Sequence, residues 1–308
     1  MDRPPVSVIL PTREWGSSCD QLAEQIRDED ELLVVCDFED DPLYGTQAPE
    51  NVRIMAAGAP VGCSGKANAV AYGMEQARNH RFVWTDDDFD RGPNWLEDLA
   101  RTGEEHGPAT VLPVFVGGGW WRIIEPWVIL TSTASFYFGV GPWGGNAWGG
   151  GVTFTREDVS VQSLISDLRQ SLSDDGILSD HLETVHPIRS KLARVHIPGN
   201  LTAVKERMIR FIRLSHVHEG GFSALGGLMA LVLLAVVFPV WTAITLTASM
   251  GLVYGVLGLD RKTFLLTVPG LLLAIPTAVS GIVTREFEWG DRRYRLNGKR
   301  DVEVVSSR

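Results

Sequence analysis

The sequence predicts an α/β domain with a mostly parallel sheet, followed by C-terminal transmembrane helices. Over residues 6–115, short apolar runs alternate with segments of helical spacing. Several of the apolar runs pass directly into acidic residues, which is typical of strands that end at a binding edge. Residues 222–283 contain only three charged residues, a run too long and too apolar for one core helix.

Five apolar runs are predicted as strands and the segments between them as helices. The strand runs are VSVILPT (6–12), ELLVVC (31–36), NVRIMAAG (51–58), RFVWT (81–85) and ATVLPVF (109–115). The helical segments are 17–30, 64–80, 94–106 and 163–183. This alternation favours a parallel sheet covered on both faces, with ligands bound beyond the carboxyl ends of the strands.

Residues 117–151 differ in composition from the rest, because they are dense in Gly and Trp and carry only two charges. Gly and Pro interrupt this stretch too often for a transmembrane helix. Tryptophan favours the water–lipid interface, so one interpretation is a mobile amphipathic lining near a membrane. The other is ordinary core and loop, and the composition does not separate them.

Three apolar blocks, roughly 222–240, 242–259 and 264–284, indicate a multi-pass protein of the cell membrane. Arginines flank the apolar region on both sides, so the positive-inside rule places both ends in the cytoplasm and demands an even number of spans. Three blocks therefore leave two options: one block is re-entrant or interfacial, or the tail lies outside. We expect a cytoplasmic domain (1–221), a membrane segment (222–285) and a basic tail (286–308) on the cytoplasmic surface.

The net charge of −10 disfavours nucleic acid as a partner, because phosphate binding requires a basic face. No charged segment followed by a short apolar run opens the chain, so no cleavable leader is expected. The three cysteines lack metal-ligand spacing and are expected to be reduced. His216 and His218 form only a pair, so a metal site there is not favoured.

Four acids crowd the end of the fourth predicted strand: Asp86, Asp87, Asp88 and Asp90. Carboxylates this close repel one another, so the cluster suggests a divalent cation or an equivalent positive partner. A solvated acidic turn is the alternative. Asp37 ends the second predicted strand, and the two strand ends are expected to share one crevice.

The order of several motifs resembles glycosyltransferase family 2 proteins of the GT-A fold, and most closely their ceramide glucosyltransferase-like branch. The motifs are VCDFEDDP, VGCSGKANAV, WTDDD, GGGVTFTRED, SDDGIL and RMIRF followed by apolar spans. The resemblance covers nearly the whole chain and is carried by the order of the motifs. It implies a cytosolic domain that binds a nucleotide-sugar donor and C-terminal membrane segments.

This resemblance implies donor-binding roles for residues near the strand ends. Asp37 would contact the nucleoside, where a carboxylate accepts hydrogen bonds from a uracil N–H or a ribose hydroxyl; capping of the next turn is the alternative. Lys66 would meet an anion at a helix N-terminus, although a solvated lysine is the default. Asp86 and Asp88 match the DxD motif and would share one Mg²⁺ or Mn²⁺ ion, since residues two apart on an extended segment face the same way.

SDDGIL resembles the motif that supplies the family's catalytic base, with Asp174 as the acid and Asp175 as the base. Adjacent carboxylates can raise one pKa and so favour abstraction of a proton from an acceptor hydroxyl. Helix N-capping is the alternative role for Asp174. Asp180, further along the same helix, is the second candidate for the base.

KERMIRFIRL matches the family's (Q/R)xxRW motif at Arg207, Arg210 and Phe211. Arginines three apart share a helical face and can hold a leaving diphosphate with forked hydrogen bonds. Phe211 replaces the family's Trp and lacks the indole N–H. A basic juxtamembrane helix that attracts anionic lipid is the alternative, and we expect Arg213 to serve mainly that purpose.

Together these features predict a metal-dependent, inverting transfer of a sugar, expected to be a hexose from a UDP-sugar, to the hydroxyl of a membrane lipid. Two alternatives remain. A polyisoprenyl-phosphate sugar synthase has an acceptor that is already ionised and needs no base. A membrane-anchored scaffold would bind a nucleotide or a partner without turnover.

Overall fold

A seven-stranded, mostly parallel sheet forms the centre of the N-terminal part of the chain. The structure is a computed structural model and describes residues 3–137, 145–219 and 222–307. The strands are β1 (Val6–Pro11), β2 (Glu31–Cys36), β3 (Val52–Ala56), β4 (Arg81–Thr85), β5 (Ala109–Gly117), β6 (Gly151–Thr155) and β7 (His186–Ile197), in the spatial order β3-β2-β1-β4-β6-β5-β7. Only β6 runs antiparallel to its neighbours β4 and β5. The predicted α/β class with a mostly parallel sheet is confirmed.

Helices cover both faces of this sheet, because successive residues of the apolar strands point to opposite sides. The helices are α1 (Ser17–Ala23), α2 (Gly65–Gln76), α3 (Trp95–His106), α4 (Trp121–Ser132), α5 (Val161–Leu168) and α6 (Asp174–His181). Val8 and Leu10 belong to one core cluster with α1 and α3, whereas Ile9 belongs to the other with α2, α5 and α6. The first helix ends well before residue 30, because buried Asp30 instead accepts hydrogen bonds from Arg3 and from the Val6 backbone.

The Gly- and Trp-rich stretch contains α4 and a π-helical turn over Thr133–Tyr137. Glu125 on α4 is fully buried and accepts two hydrogen bonds of 2.8 Å from Arg261, while Trp127 donates to the Thr267 carbonyl. This part of the stretch therefore packs against the apolar C-terminal helices. Residues 138–144, which also belong to the predicted membrane-proximal lining, lie outside the described ranges.

Four long helices follow β7: α7 (Leu201–Glu219), α8 (Phe222–Val237), α9 (Pro239–Val256) and α10 (Thr267–Val283), with a 3₁₀ turn at Lys262–Leu266 before the last. Two helical segments, Pro239–Val256 and Lys262–Val283, are long and apolar enough to cross a membrane. The apolar segment Gly226–Val237 within α8 is shorter.

The C-terminal tail folds into a three-stranded antiparallel sheet, which the sequence analysis did not predict. Its strands are β8 (Glu286–Trp289), β9 (Arg292–Gly298) and β10 (Asp301–Ser307). Arg213 is buried beneath it and donates hydrogen bonds to the carbonyls of Leu296 and of Ile282 at the end of α10. The expectation that Arg213 mainly attracts lipid is therefore wrong, since its guanidinium joins α7, α10 and β9.

Candidate functional site

The carboxyl ends of β1, β2 and β4 open into a cavity of about 790 Å³, the donor cavity below. Such a position is the usual ligand site of an open α/β sheet. Nine of the residues predicted from the sequence to form the site line it: Asp37, Lys66, Asp86, Asp88, Asp174, Asp175, Arg207, Arg210 and Phe211. Side chains separated by up to 174 positions (211 − 37) therefore line one cavity. For Asp37 and the acidic cluster, this was expected because both follow strand ends.

Lys66 supplies a positive charge within the acidic side of the cavity. Its Nζ lies 2.6 Å from Oδ1 of Asp86 and 2.9 Å from Oδ2 of Asp174. Burial opposes the charge of Lys66, but Asp174, Asp86 and Asp175 together raise the pKa of its ammonium well above the ordinary value. Lys66 is thus an internal partner of the acids rather than a solvated lysine.

Asp175 lies in the first turn of α6, where Ser173 caps the helix by accepting from Gly176 N at 3.0 Å. Because Ser173 performs the capping, Asp174 is not needed for it. Burial and the neighbouring charge of Asp174 raise the pKa of Asp175 well above that of an ordinary aspartate. A carboxylate with a raised pKa is suited to accepting a proton near neutral pH.

Two glycines bring the chain against these carboxylates. Gly149 N donates to Oδ1 of Asp175 at 2.6 Å. A Cβ at position 149 would lie 2.2 Å from Oδ2 of Asp174, and one at Gly150 would lie 2.7 Å from Oδ2 of Asp86. Glycine at positions 149 and 150 is therefore required for this close approach of the backbone. In the sequence, the GGG motif entered only as part of the family resemblance.

The donor set of Asp86 and Asp88 fits a divalent cation held together with phosphate oxygens. Asp88 lines the cavity, and the enclosing protein together with the charge of Asp86 raises its pKa to about 6. Hence the positive charges already present only partly neutralise this carboxylate. Within the described part of the chain, no group of three or more His, Cys, Asp or Glu side chains is arranged to hold a metal by itself.

Arg207, Arg210 and Phe211 form the basic side of the cavity. Burial lowers the pKa of Arg207, and burial together with the charge of Arg207 lowers that of Arg210 to about 9. Arg210 lies over the Trp289 ring, 4.5 Å from its centroid. No carboxylate of the described residues lies within ion-pair distance of Arg207 or Arg210. Two guanidinium groups without an acidic partner are suited to binding a diphosphate.

Asp37 is held by two arginines that the sequence analysis did not assign to the site. Oδ2 of Asp37 accepts from Arg13 at 2.5 and 2.9 Å and from Arg292 at 2.9 Å. Arg13 also contacts Asp291, so the turn between β8 and β9 closes this end of the cavity. Among the described residues, none donates a hydrogen bond to Oδ1 of Asp37, which leaves that oxygen for a ligand.

A second cavity of about 580 Å³, the apolar cavity below, adjoins the first. Residues of α4, α7, α8 and α10 line it, and Asp175, Trp148 and Phe211 line both cavities. Asp175 is the only acid of the described lining, which contains no Lys or Arg. The base predicted from the sequence thus lies at the junction of a polar and an apolar chamber.

Asp180, the second candidate for the base, lies away from both chambers. Its carboxylate is exposed and pairs with Lys299 of the C-terminal sheet. Asp180 and Asp175 stand five positions apart on α6 and so point to different sides of the helix. The structure therefore leaves Asp175 as the base candidate on this helix.

No family model matches the chain, and no curated protein is similar to it at a significant level. Among solved structures, it is similar to a mycobacterial protein, with 16% identity, 70% of this chain and 75% of that chain covered, and a TM-score of 0.42. It is also similar to glucosyl-3-phosphoglycerate synthase from Mycobacterium tuberculosis in complex with Mn²⁺, uridine diphosphate and glucosyl-3-phosphoglycerate. That similarity has 16% identity and a TM-score of 0.37, and it covers 63% of this chain and 70% of that chain. At TM-scores below 0.5, neither similarity decides the fold or the function.

Proposed function

We propose that this protein is a membrane-bound, inverting glycosyltransferase that moves a sugar, a hexose, from a UDP-sugar to the hydroxyl of a lipid. The observation that carries the proposal is the position of Asp175 between a charged cavity and an apolar one. A transferase with a polar donor and an apolar acceptor needs one base at such a junction. The GT-A-like order of motifs in the sequence supports the same activity.

In this proposal the donor lies along the strand ends of the donor cavity. The nucleoside meets Oδ1 of Asp37, whose other oxygen is held by Arg13 and Arg292. The diphosphate lies between the acidic side and the guanidinium groups of Arg207 and Arg210. Those guanidinium groups would stabilise the charge that develops on the leaving diphosphate, because no carboxylate of the described residues pairs with them.

Asp86 and Asp88 would hold the Mg²⁺ or Mn²⁺ ion. When bound, such an ion neutralises diphosphate charge and stabilises the departing group. Lys66 keeps the acidic residues close together, because its ammonium pairs with both Asp86 and Asp174. Asp174 therefore positions Lys66 beside Asp175, and the two adjacent acids need not share one role.

The acceptor hydroxyl would reach Asp175 from the apolar cavity. Asp175 takes the hydroxyl proton, and the oxygen forms a bond to the anomeric carbon as the bond to the diphosphate breaks. Because this single displacement uses one base and no covalent nucleophile, it inverts the anomeric configuration. Gly149 N, which donates to Oδ1 of Asp175, holds the carboxylate in place for this step.

Attachment to a membrane is supported by the surface of α8, α9 and α10. Large apolar side chains there are exposed, including Leu233, Val236, Trp241, Leu252 and Leu272. Many exposed apolar side chains on neighbouring helices are typical of a membrane or protein contact. The proposed arrangement places the apolar cavity where a lipid could enter from the bilayer, with the donor cavity facing the cytoplasm.

Turnover in detergent tests the proposal directly. Wild-type protein with a panel of sugar nucleotides, Mn²⁺ and a lipid extract should release nucleoside diphosphate and form a glycolipid detectable by mass spectrometry. Asp175→Asn should bind donor normally but turn over about a hundredfold to ten-thousandfold more slowly. Asp180→Asn, on the same helix, is the matched control and should retain wild-type turnover. Donor binding without any lipid-dependent release would favour the non-catalytic scaffold.

A further inference from the structure

Both ends of α10 are attached to the N-terminal domain. At its start, Trp127 of α4 donates a hydrogen bond of 2.9 Å to the Thr267 carbonyl. At its end, Arg213 of α7 donates one of 3.2 Å to the Ile282 carbonyl. Helix α4 follows β5 directly, and α7 contributes side chains to the donor cavity. A membrane-spanning helix has its ends on opposite sides of a hydrocarbon core about 30 Å thick, whereas α10 has both ends on one domain.

Two glycines let α10 lie along α4 and α7 rather than project away from them. A Cβ on Gly270 would lie 2.4 Å from the Ile123 carbonyl oxygen, and one on Gly281 would lie 2.5 Å from Cβ of Ile212. On the side of α10 that faces away from the domain, Leu272 is 65% exposed. This helix therefore packs on protein along one side and leaves the other side free for lipid.

Helices α8 and α9 form a bent segment that also contacts the domain on both sides of the bend. Leu231 of α8 lines the apolar cavity, and Met250 of α9 is buried against β5 and α4. The bend lies at Phe238, whose backbone leaves the helical conformation (φ −130°, ψ 61°) before Pro239 begins α9. Phe238 is seven positions from Leu231 (238 − 231), so at 1.5 Å per residue it lies within about 11 Å of that attachment. This reach is too short to carry the bend across a hydrocarbon core of about 30 Å.

The bend is the most exposed apolar part of the chain that the structure describes. Its exposed side chains are Leu233, Leu234, Val236, Val237, Phe238, Val240, Trp241 and Ile244. The hydroxyl of Thr242 donates to the Leu234 carbonyl at 3.0 Å, and residues 220–259 contain no charged side chain. A turn between two membrane spans lies in water beyond the far leaflet. The side chains at this bend are suited to acyl chains instead.

Basic side chains lie near both ends of α10, although the chain as a whole has a net charge of −10. Lys262 precedes the helix, Arg285 follows it, and Arg122 lies in the first turn of α4; all three are exposed. Exposed Asp260 offsets only part of this charge. The positive-inside rule favours basic residues at one end of a spanning helix, not at both. Anionic head groups attract lysine and arginine at a membrane surface, so this pattern fits a helix that lies on an anionic leaflet.

We infer that α8, α9 and α10 insert into one leaflet of an anionic membrane without crossing it. Helix α10 lies along the surface, the bend around Phe238 and Trp241 enters the acyl chains, and the basic residues meet the head groups. This monotopic arrangement replaces the multi-pass one expected from the sequence, and it needs no even number of spans. The inference rests on the membrane attachment in the proposed function and adds its geometry.

Spin labels that report depth test this geometry in the full-length protein, reconstituted into phosphatidylglycerol vesicles. The labelled variants are Phe238→Cys at the bend and Leu272→Cys on α10, with Val61→Cys, 82% exposed on the N-terminal domain, as the control. The three native cysteines are buried, so the label reacts with the introduced thiol. Relaxation by oxygen, which concentrates in acyl chains, is compared with relaxation by a water-soluble nickel complex.

The labels at positions 238 and 272 should respond to oxygen and be protected from nickel, whereas the label at position 61 should respond to nickel. The bend should lie about 5–10 Å below the head groups, the depth typical of interfacial insertion. Position 272 should be shallower than position 238. If the helices crossed the bilayer, the order would reverse, with position 272 in the hydrocarbon core and position 238 in water on the far side.

Replacing the basic residues tests the choice of an anionic surface. The triple variant Arg122→Gln, Lys262→Gln and Arg285→Gln should bind phosphatidylglycerol vesicles about a hundredfold more weakly than the wild type in flotation assays. Its binding to phosphatidylcholine vesicles should change little. The matched control replaces three exposed arginines elsewhere on the protein by Gln, namely Arg78, Arg101 and Arg293, and should bind like the wild type.

Three results would overturn the inference while leaving membrane attachment and sugar transfer intact. One is a label at position 238 that responds to nickel in vesicles that hold the protein. Another is a spectrum at position 238 broadened by a second label nearby, which would mean that another copy of the chain covers the bend. The third is equal binding of the wild type and the triple variant to phosphatidylglycerol vesicles. If the wild type binds no vesicles, the membrane attachment in the proposed function fails as well.

Discussion

Nζ of Lys66 lies 2.6 Å from Oδ1 of Asp86, so a side chain of the helix that follows β3 brings a positive charge to the acidic cluster. The same ammonium contacts Asp174, which belongs to α6. A single lysine thereby joins the proposed metal-binding and base motifs. The ammonium reduces the electrostatic repulsion among the carboxylates that share the cavity.

Replacing Lys66 should change metal affinity in a defined direction. A cation beside Asp86 repels a second cation, so Lys66→Met should bind Mn²⁺ about tenfold more tightly than the wild type in the absence of donor. Titration calorimetry with Mn²⁺ measures this change. Lys205→Met, an exposed position on α7, is the control and should bind Mn²⁺ like the wild type. Weaker Mn²⁺ binding by Lys66→Met would contradict the repulsion argument.

The pH dependence of turnover should follow the raised pKa of Asp175. A base must be unprotonated, so kcat should fall with decreasing pH at values above about 4, the ordinary pKa of aspartate. Steady-state rates between pH 4.5 and 8 provide the measurement. A kcat that stays constant down to pH 4.5 would mean that Asp175 is not the titrating base.

The raised pKa of Asp175 also predicts how its replacement changes the stability of the protein. A raised pKa in the folded state favours folding at low pH, and this contribution is lost as pH rises through the folded pKa. Asp175→Asn keeps a neutral side chain that accepts from Gly149 N, so its free energy of unfolding at pH 7.5 should equal or exceed that of the wild type. Urea unfolding compares the two, and marked destabilisation of the variant would contradict the shift.

Arg292 should link the C-terminal sheet to donor binding. Its guanidinium is buried and donates to Oδ2 of Asp37, so Arg292→Met leaves that carboxylate with Arg13 alone. Breaking a buried ion pair by removing one partner typically costs about 3–5 kcal/mol. The remaining contact with Arg13 should reduce this loss. We expect a lower Tm and an affinity for uridine diphosphate at least about tenfold weaker by calorimetry.

Arg293→Met is the matched control, because Arg293 is the next residue of β9 but is exposed and pairs with Glu288. It should keep wild-type affinity and Tm, since exposed ion pairs contribute little. Equal donor affinity in both variants would show that the C-terminal sheet does not support the nucleoside end.

Glu125 should be essential for packing the apolar helices onto the domain. Its fully buried carboxylate accepts from Arg261, Thr263 and the Gly117 amide. Glu125→Leu would remove the carboxylate that pairs with Arg261, although Arg261 would keep its hydrogen bond to the Gly117 carbonyl, and should destabilise the protein by about 3–5 kcal/mol. The Tm in detergent measures this effect, with exposed Glu183→Leu as the control. A Tm equal to that of the control would mean that the contact between α4 and the α9–α10 turn contributes little.

The strand ends were predictable because local patterns encode them. Apolar runs such as VSVIL and RFVWT form buried strands, and acids directly after them lie at one edge of the sheet. The positions of Asp37 and Asp86 in one cavity follow from that topology alone. The edge strand β7 was missed because only its second half alternates between buried and exposed residues.

The C-terminal sheet was missed for a related reason. Strand β9 reads RRYRLNG, and its charges suggested a solvated tail, yet Arg292, Tyr294 and Leu296 alternate toward the interior. Arginine stems bury apolar surface while their guanidinium groups find specific partners. The two-residue period of β9 therefore indicated a strand, but the many charged residues favoured a solvated tail instead.

The sequence by itself determined the kind of chemistry available: acids at strand ends, a second acidic pair at a helix start, arginines on a later helix and apolar segments after them. Only the tertiary structure decided the pairings, such as Asp37 with Arg292 across 255 positions, and the opening of Asp175 toward an apolar chamber. The physical reason is that periodicity and capping act over a few residues. Contacts between distant side chains depend on how complete elements pack, which no short stretch of the chain encodes.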